Sequence, residues 1–302
     1  GGIYREVSLR VMNPLFIENV RAIAQDVLSD HKKLAITAFL RDTLQAGGKA
    51  RIEVLLKRQS EVLERSSYRF ELSGEKEPTL DLVLENLTGI ELWNLDTPNL
   101  YGLQVSLSVE GQVVDTYETR IGFRTAEIKA DGFWLNGEKL KIRGLNRHQS
   151  YPYVGYAMPR RVQRRDADIL KYELGLNTVR TSHYPQSRHF LDRCDEIGLL
   201  VFEEIPGWQH IGDAEWKQVA CQDVYRMVTR DWNHPCIFLW GVRINESGDD
   251  HDFYVETNRI ARELDSSRQT GGVRWIHRSE LLEDVYTIND FSHSGGKVVL
   301  AD

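Results

Sequence analysis

The spacing of apolar residues changes once along this chain, near Ala126, and that change limits the folds open to it more than any other feature. Before it, apolar and polar residues alternate in short runs: Val7 to Val11, Leu34 to Leu40, Ala50 to Leu56, Leu80 to Leu84, Leu103 to Val109 and Val113 to Thr119. Alternation of this kind puts one face of each strand in a core and the other in water. Turn-forming residues separate the runs, at Asn13-Pro14, Ser29-Asp30-His31, Gly47-Gly48, Ser73-Gly74 and Glu110-Gly111. Residues 1–125 are therefore expected to form a β-sandwich of immunoglobulin type.

After Ala126, strand-like and helix-like segments take turns. Phe133 to Glu138 reads as a hairpin turning on Asn136-Gly137. Strands are expected at Lys141–Leu145, Asn177–Arg180, Leu199–Glu203, Cys236–Trp240, Val273–Ile276 and Val285–Ile288. Helices are expected at Val162–Leu174, ended by Gly175, and around Phe190, Leu191, Cys194 and Ile197, ended by Gly198. Trp216–Met227 and Phe253–Leu264 read the same way, and Glu280 and Glu283 are placed in a further helix. Such alternation makes parallel βαβ units. Residues 126–302 are thus read as the N-terminal part of a (β/α)8 TIM barrel, truncated after about six of the usual eight strands.

Composition narrows the function. With 41% hydrophobic and 27% charged residues, the 302-residue chain can bury ordinary cores. A net charge of −7 gives no reason to expect nucleic acid or an anionic membrane as partner. No apolar run approaches the ~20 residues of a membrane helix. Cys194 and Cys236 fall on apolar positions and read as core, so the three cysteines imply no disulfide framework. The start of the chain shows no signal peptide and reads as the middle of a longer protein, which leaves the compartment open.

The residues suited to chemistry gather where barrel strands would end. Cys236 to Trp240 is a continuous apolar run that delivers Asn245 and Glu246 to its C-terminal end, the edge where α/β sheets do chemistry. A carboxylate there, in partly apolar surroundings, is expected to have its pKa raised and to donate a proton near neutral pH. Arg180 and His183 follow the second strand and Asn146-Arg147-His148 the first. Arginine keeps a neighbouring carboxylate ionised, and histidine can donate hydrogen bonds to a ligand's hydroxyls. Their competing readings are an interior salt bridge for Arg180, a helix cap for His183 and a structural role for His148. Glu203 and Glu204 end the third strand on opposite faces, so they are no dyad, and at least one should sit in a structural salt bridge. Trp208, Trp240 and Trp275 read equally as stacking platforms for a ligand or as core.

The stretch from Asp231 to Ser247, closing on Asn245-Glu246, resembles glycoside hydrolase family 2, which includes β-galactosidases, β-glucuronidases and β-mannosidases. Asn177-Thr178-Val179-Arg180-Thr181-Ser182-His183-Tyr184-Pro185 is similar to a second motif of that family. Leu92-Trp93-Asn94, Thr97 to Tyr101 and Gly122-Phe123-Arg124 resemble the sandwich that precedes its barrel. The resemblance implies a retaining exo-β-glycosidase with Glu246 as acid/base and Arg180, His183 and Asn245 around the sugar. Arg143-Gly144-Leu145-Asn146-Arg147-His148 is similar to a β-galactosidase segment and implies a sugar contact for His148. β-Glucuronidase, β-mannosidase and an inactive carbohydrate-binding fragment are the alternatives.

The nucleophile expected on the seventh strand is unassigned and is placed beyond the chain's end. Magnesium-binding members carry a Glu and a His after the third strand. Gly207-Trp208-Gln209-His210 supplies the His alone, so no cofactor is expected. The tyrosine expected near the sixth strand is replaced by Ile288-Asn289-Asp290, with Tyr286 out of phase. The implied partner is a β-galactoside or related oligosaccharide, and a homo-oligomer is compatible with the sequence.

Overall fold

The computed structural model describes residues 2–45 and 47–290. By backbone contacts the chain divides into two compact units, one running through Thr125 and including Asn233–Pro235, the other holding the rest from Ala126.

The first unit is a sandwich of two antiparallel sheets. One is ordered β1 (Leu15–Gln25), β2 (Lys32–Asp42), β5 (Thr79–Leu87). The other is ordered β4 (Glu61–Leu72), β3 (Gly48–Arg58), β6 (Tyr101–Val109), β7 (Gln112–Ile121). Alternate residues of the inner strands, among them Leu34, Ile36, Ala38, Ile52, Val54, Val105 and Leu107, meet in one buried core. Trp93 and Tyr101 are core as expected. The Tyr101 ring meets Phe123 edge-on at 5.5 Å, and its hydroxyl accepts from the Glu91 N–H at 2.8 Å.

Five of the six expected strands lie within observed ones, and the sixth is a correction. Val7, Leu9 and Val11 alternate, yet residues 2–13 form no strand and expose these side chains. A strand needs a partner ladder, and among the described residues this segment has none. Two strands escaped the sequence reading. A register shift between Ile17 and Asn19 breaks the alternation of β1, and β4 is a mostly polar edge strand.

The second unit opens with a small antiparallel sheet of β8 (Ala126–Lys129), β9 (Gly132–Leu135) and β10 (Glu138–Leu140). Leu135 pairs with Glu138 across Asn136 and Gly137, whose φ values of 54° and 80° make the two-residue hairpin turn their sequence predicts. Six parallel strands follow in sequence order: β11 (Gly144–Arg147), β12 (Thr178–Thr181), β13 (Leu200–Glu204), β14 (Ile237–Gly241), β15 (Gln269–Arg274) and β16 (Val285–Ile288). Every residue of β13 and β14 is buried, which explains the apolar run of β14 and the Leu200-Val201-Phe202 start of β13. This is the ladder of a TIM-barrel domain, six strands long among the described residues.

Four helices connect the strands: α1 (Arg160–Asp168), α2 (Arg188–Ile197), α3 (Ala214–Asp231) and α4 (His251–Leu264). α1 runs into a π-helical turn, Ile169–Glu173, and Gly198, at φ 69°, ends α2. Cys194 and Cys236 are buried. β11 begins three residues later than expected. The helix expected around Glu280 and Glu283 is absent, because residues 275–284 form a loop built on a buried ion pair between Arg274 and Glu283, 2.5 Å apart. No helix among the described residues is long and apolar enough to cross a membrane.

Candidate active site

The C-terminal ends of β11 to β16 bring the predicted residues together in two linked clusters. The first is charged and buried. Glu204, the last residue of β13, accepts from Arg180 through both oxygens, at 2.5 and 3.1 Å, and lies 3.1 Å from His183 Nδ1. Arg180 Nη2, one of the two nitrogens bound to Glu204, also donates to Asn245 Oδ1 at 2.6 Å. Glu204 is 2% exposed, so its charge is compensated by partners rather than by water. Gly241 makes room for it: a Cβ there would come within 2.6 Å of Glu204 Cγ.

The interior salt bridge weighed for Arg180 is present, and the same side chain fixes Asn245. His183 caps no helix, since Ser187 caps α2. His148 is exposed, with its ring edge-on to His183 at a centroid distance of 5.6 Å. Glu203 faces elsewhere, toward the Gln186 N–H and Arg230. Both glutamates therefore pair as structural salt bridges, on opposite sides of the strand.

The second cluster surrounds Glu246 and is uncharged. Glu246 Oε2 accepts from Trp208 Nε1 at 3.0 Å and Gln209 Nε2 at 3.1 Å, and Oε1 accepts from Asn289 Nδ2 at 2.7 Å. Asn289 also reaches Asn245 Oδ1 at 3.5 Å and so joins the two clusters. Tertiary bonds hold Glu246 in the left-handed region, at φ 55°. Its N–H donates to the Val273 carbonyl at 2.8 Å, and Arg243 binds the Gly248 carbonyl at 3.1 Å and the Asp249 carboxylate at 2.6 Å.

The expected rise in the Glu246 pKa is not found. Partial burial pushes it up, but donation from Trp208, Asn289 and Gln209, with His183 nearby, outweighs that and holds it below the usual glutamate value. The surroundings are polar donors rather than the apolar wall the sequence suggested.

Sequence reasoning missed Gln209 and Asn289 and left Trp208 undecided. Motif position marked the loop after β13 and the residue after β16, but an amide at either place has no chemical signature of its own. Trp240 is core, with Nε1 bonded to Asp265 at 2.9 Å, while Trp275 is exposed. The loop after β13 offers poor ligands for magnesium, a cation that takes oxygen donors. Trp208 and Gln209 present N–H groups to Glu246, and the His210 ring packs near Trp216 at 6.1 Å.

The chain is 54% identical to a β-galactosidase of Thermoanaerobacterium thermosulfurigenes, covering 98% of this chain and 41% of the relative. It is 53% identical to a β-galactosidase of Thermoanaerobacter pseudethanolicus, covering 99% and 40%. The crystal structure of a glycosyl hydrolase family 2 member from Bacteroides cellulosilyticus superposes with a TM-score of 0.83 at 25% identity, covering 92% of this chain and 40% of that one. The chain thus spans about two fifths of the length of the curated relatives it matches. The model of glycosyl hydrolases family 2 matches residues 15–124, and that family's TIM barrel domain matches residues 126–292. With both domains matched in order and Asn245-Glu246 at the barrel's strand ends, this chain belongs to glycosyl hydrolase family 2.

Proposed function

We propose that the intact gene product is a retaining exo-β-glycosidase acting on terminal β-galactosides, with Glu246 as its general acid and base. The observation that supports this most is a lone carboxylate, held by neutral donors, beside a buried Arg180–Glu204–His183–Asn245 cluster at one strand edge. High identity to two β-galactosidases supports the galactoside over a glucuronide or mannoside.

In the first step Glu246 gives its proton to the glycosidic oxygen while the bond from that oxygen to the anomeric carbon breaks. A second carboxylate attacks the same carbon, roughly 5–5.5 Å from the first. In the second step Glu246 takes a proton from water, and the resulting hydroxide displaces the carboxylate. Glu204 does not fit the attacking role, because Arg180 and His183 engage both of its oxygens.

The low pKa of Glu246 suits the second step. For the first, an ionised carboxylate close by would raise it, and that carboxylate loses its charge on forming the glycosyl ester. His183, Asn245 and His148 are read as donors and acceptors for sugar hydroxyls, and the reaction so written needs no cofactor.

The test is hydrolysis of aryl β-galactoside, β-glucuronide and β-mannoside by the intact protein. Preference for the galactoside is expected. Preference for either other sugar would move the assignment within the family, and no turnover of any would remove it.

A further inference from the structure

Trp208 differs from the buried tryptophans Trp93, Trp232 and Trp240 in being 62% exposed, yet it is held in place. Its backbone forms a parallel bridge with Asn245, and the preceding Gly207 donates its N–H to the His183 carbonyl at 3.2 Å. Its indole nitrogen is bonded to Glu246. An indole fixed through its polar edge offers a ring face that loses little entropy on binding a ligand.

Its position says which part of a ligand that face meets. The Asn245 side chain is bonded to Arg180, whereas the Trp208 indole donates to the acid carboxylate. The atom protonated by Glu246 is the oxygen that departs with the leaving group, so a ring carried on that oxygen lies against the acid's neighbours.

We propose that Trp208 is the stacking platform of the leaving-group subsite, taking the apolar face of the hexose or aryl ring that departs. This rests on Glu246 being the acid, and it makes Trp208 a determinant of leaving-group specificity rather than only a support for Glu246.

The test compares Trp208→Phe and Trp208→Ala in the intact gene product. Trp208→Phe keeps a ring face without the N–H, and Trp208→Ala removes both. Two substrates share the accepted sugar: its β-glycosyl fluoride, whose leaving group has no ring, and its disaccharide with a hexose. On the fluoride the two variants should match each other. On the disaccharide, KM should be about five- to tenfold higher for Ala than for Phe. Transfer to an added hexose acceptor should fall in Ala and persist in Phe. Equal KM values for Phe and Ala on the disaccharide, or an equal rise on the fluoride, would overturn the platform. Should the Ala variant not fold, Trp208→Leu replaces it, with fluoride turnover as the check. A wild-type protein that cleaves no glycosyl fluoride overturns the glycosidase reading and the subsite with it; the disaccharide result overturns the subsite alone.

Discussion

Glu204 and Glu246 stand at the ends of neighbouring strands and are solvated in opposite ways. Glu204 is buried and bound by the Arg180 guanidinium, with His183 alongside, so its position is fixed by charged and polar partners. Glu246 is half-buried and bound by three neutral N–H donors. Neutral donors orient a carboxylate without adding a fixed positive charge, and their effect on its pKa can be offset by one new charge nearby. A charged partner makes a framework, and neutral partners leave a group able to exchange protons.

The sharpest way to break this comparison is Glu246→Gln in the intact protein. Hydrolysis of glycosides with poor leaving groups should fall by about 10²–10⁴-fold, while the midpoint of urea unfolding stays close to that of the wild type. Glu204→Gln should do the reverse to stability. It leaves the Arg180 charge buried without its partner, and about 3–5 kcal/mol should be lost in urea titration. An unfolding curve unchanged by Glu204→Gln would mean the pair is not structural. Gly241→Ala, which drives a methyl group against Glu204, should cost about 1–3 kcal/mol by the same measurement.

Asn289→Ala sharpens the comparison from the other side. Donation to the ionised form lowers a pKa, so losing this donor raises that of Glu246, and the acid stays protonated to higher pH. The alkaline limb of the kcat/KM profile should therefore move up in pH. Because the folded pKa of Glu246 is depressed, its contribution to stability is present above the unfolded value and lost as pH falls through the folded one. Removing Asn289 should weaken that acid-side dependence, and a profile unmoved on both sides would take Asn289 out of the site.

Elements were legible where burial is uniform. β14 is an unbroken run without a charged residue, β13 opens on Leu200-Val201-Phe202, and the Asn136-Gly137 turn carries its conformation in its residue types. Legibility failed where pairing decides. Val7, Leu9 and Val11 alternate but have no ladder among the described residues, β1 is interrupted by a register shift, and Glu283 belongs to a loop anchored by Arg274. Alternation measures which residues a strand would bury, not whether a neighbour is there to pair with it.

By itself the sequence determined the change from paired strands to βαβ units and the gathering of Arg180, His183, Asn245 and Glu246 at one strand edge. Both follow from short-range periodicity and from motif position, which a linear chain carries in full. Only the tertiary structure decided how each carboxylate is solvated. Glu204 owes its partners to β12 and the loop after it, and Glu246 owes its partners to the loop after β13 and the residue after β16. The distances that set a pKa run between strands far apart in the sequence, and no local pattern encodes them.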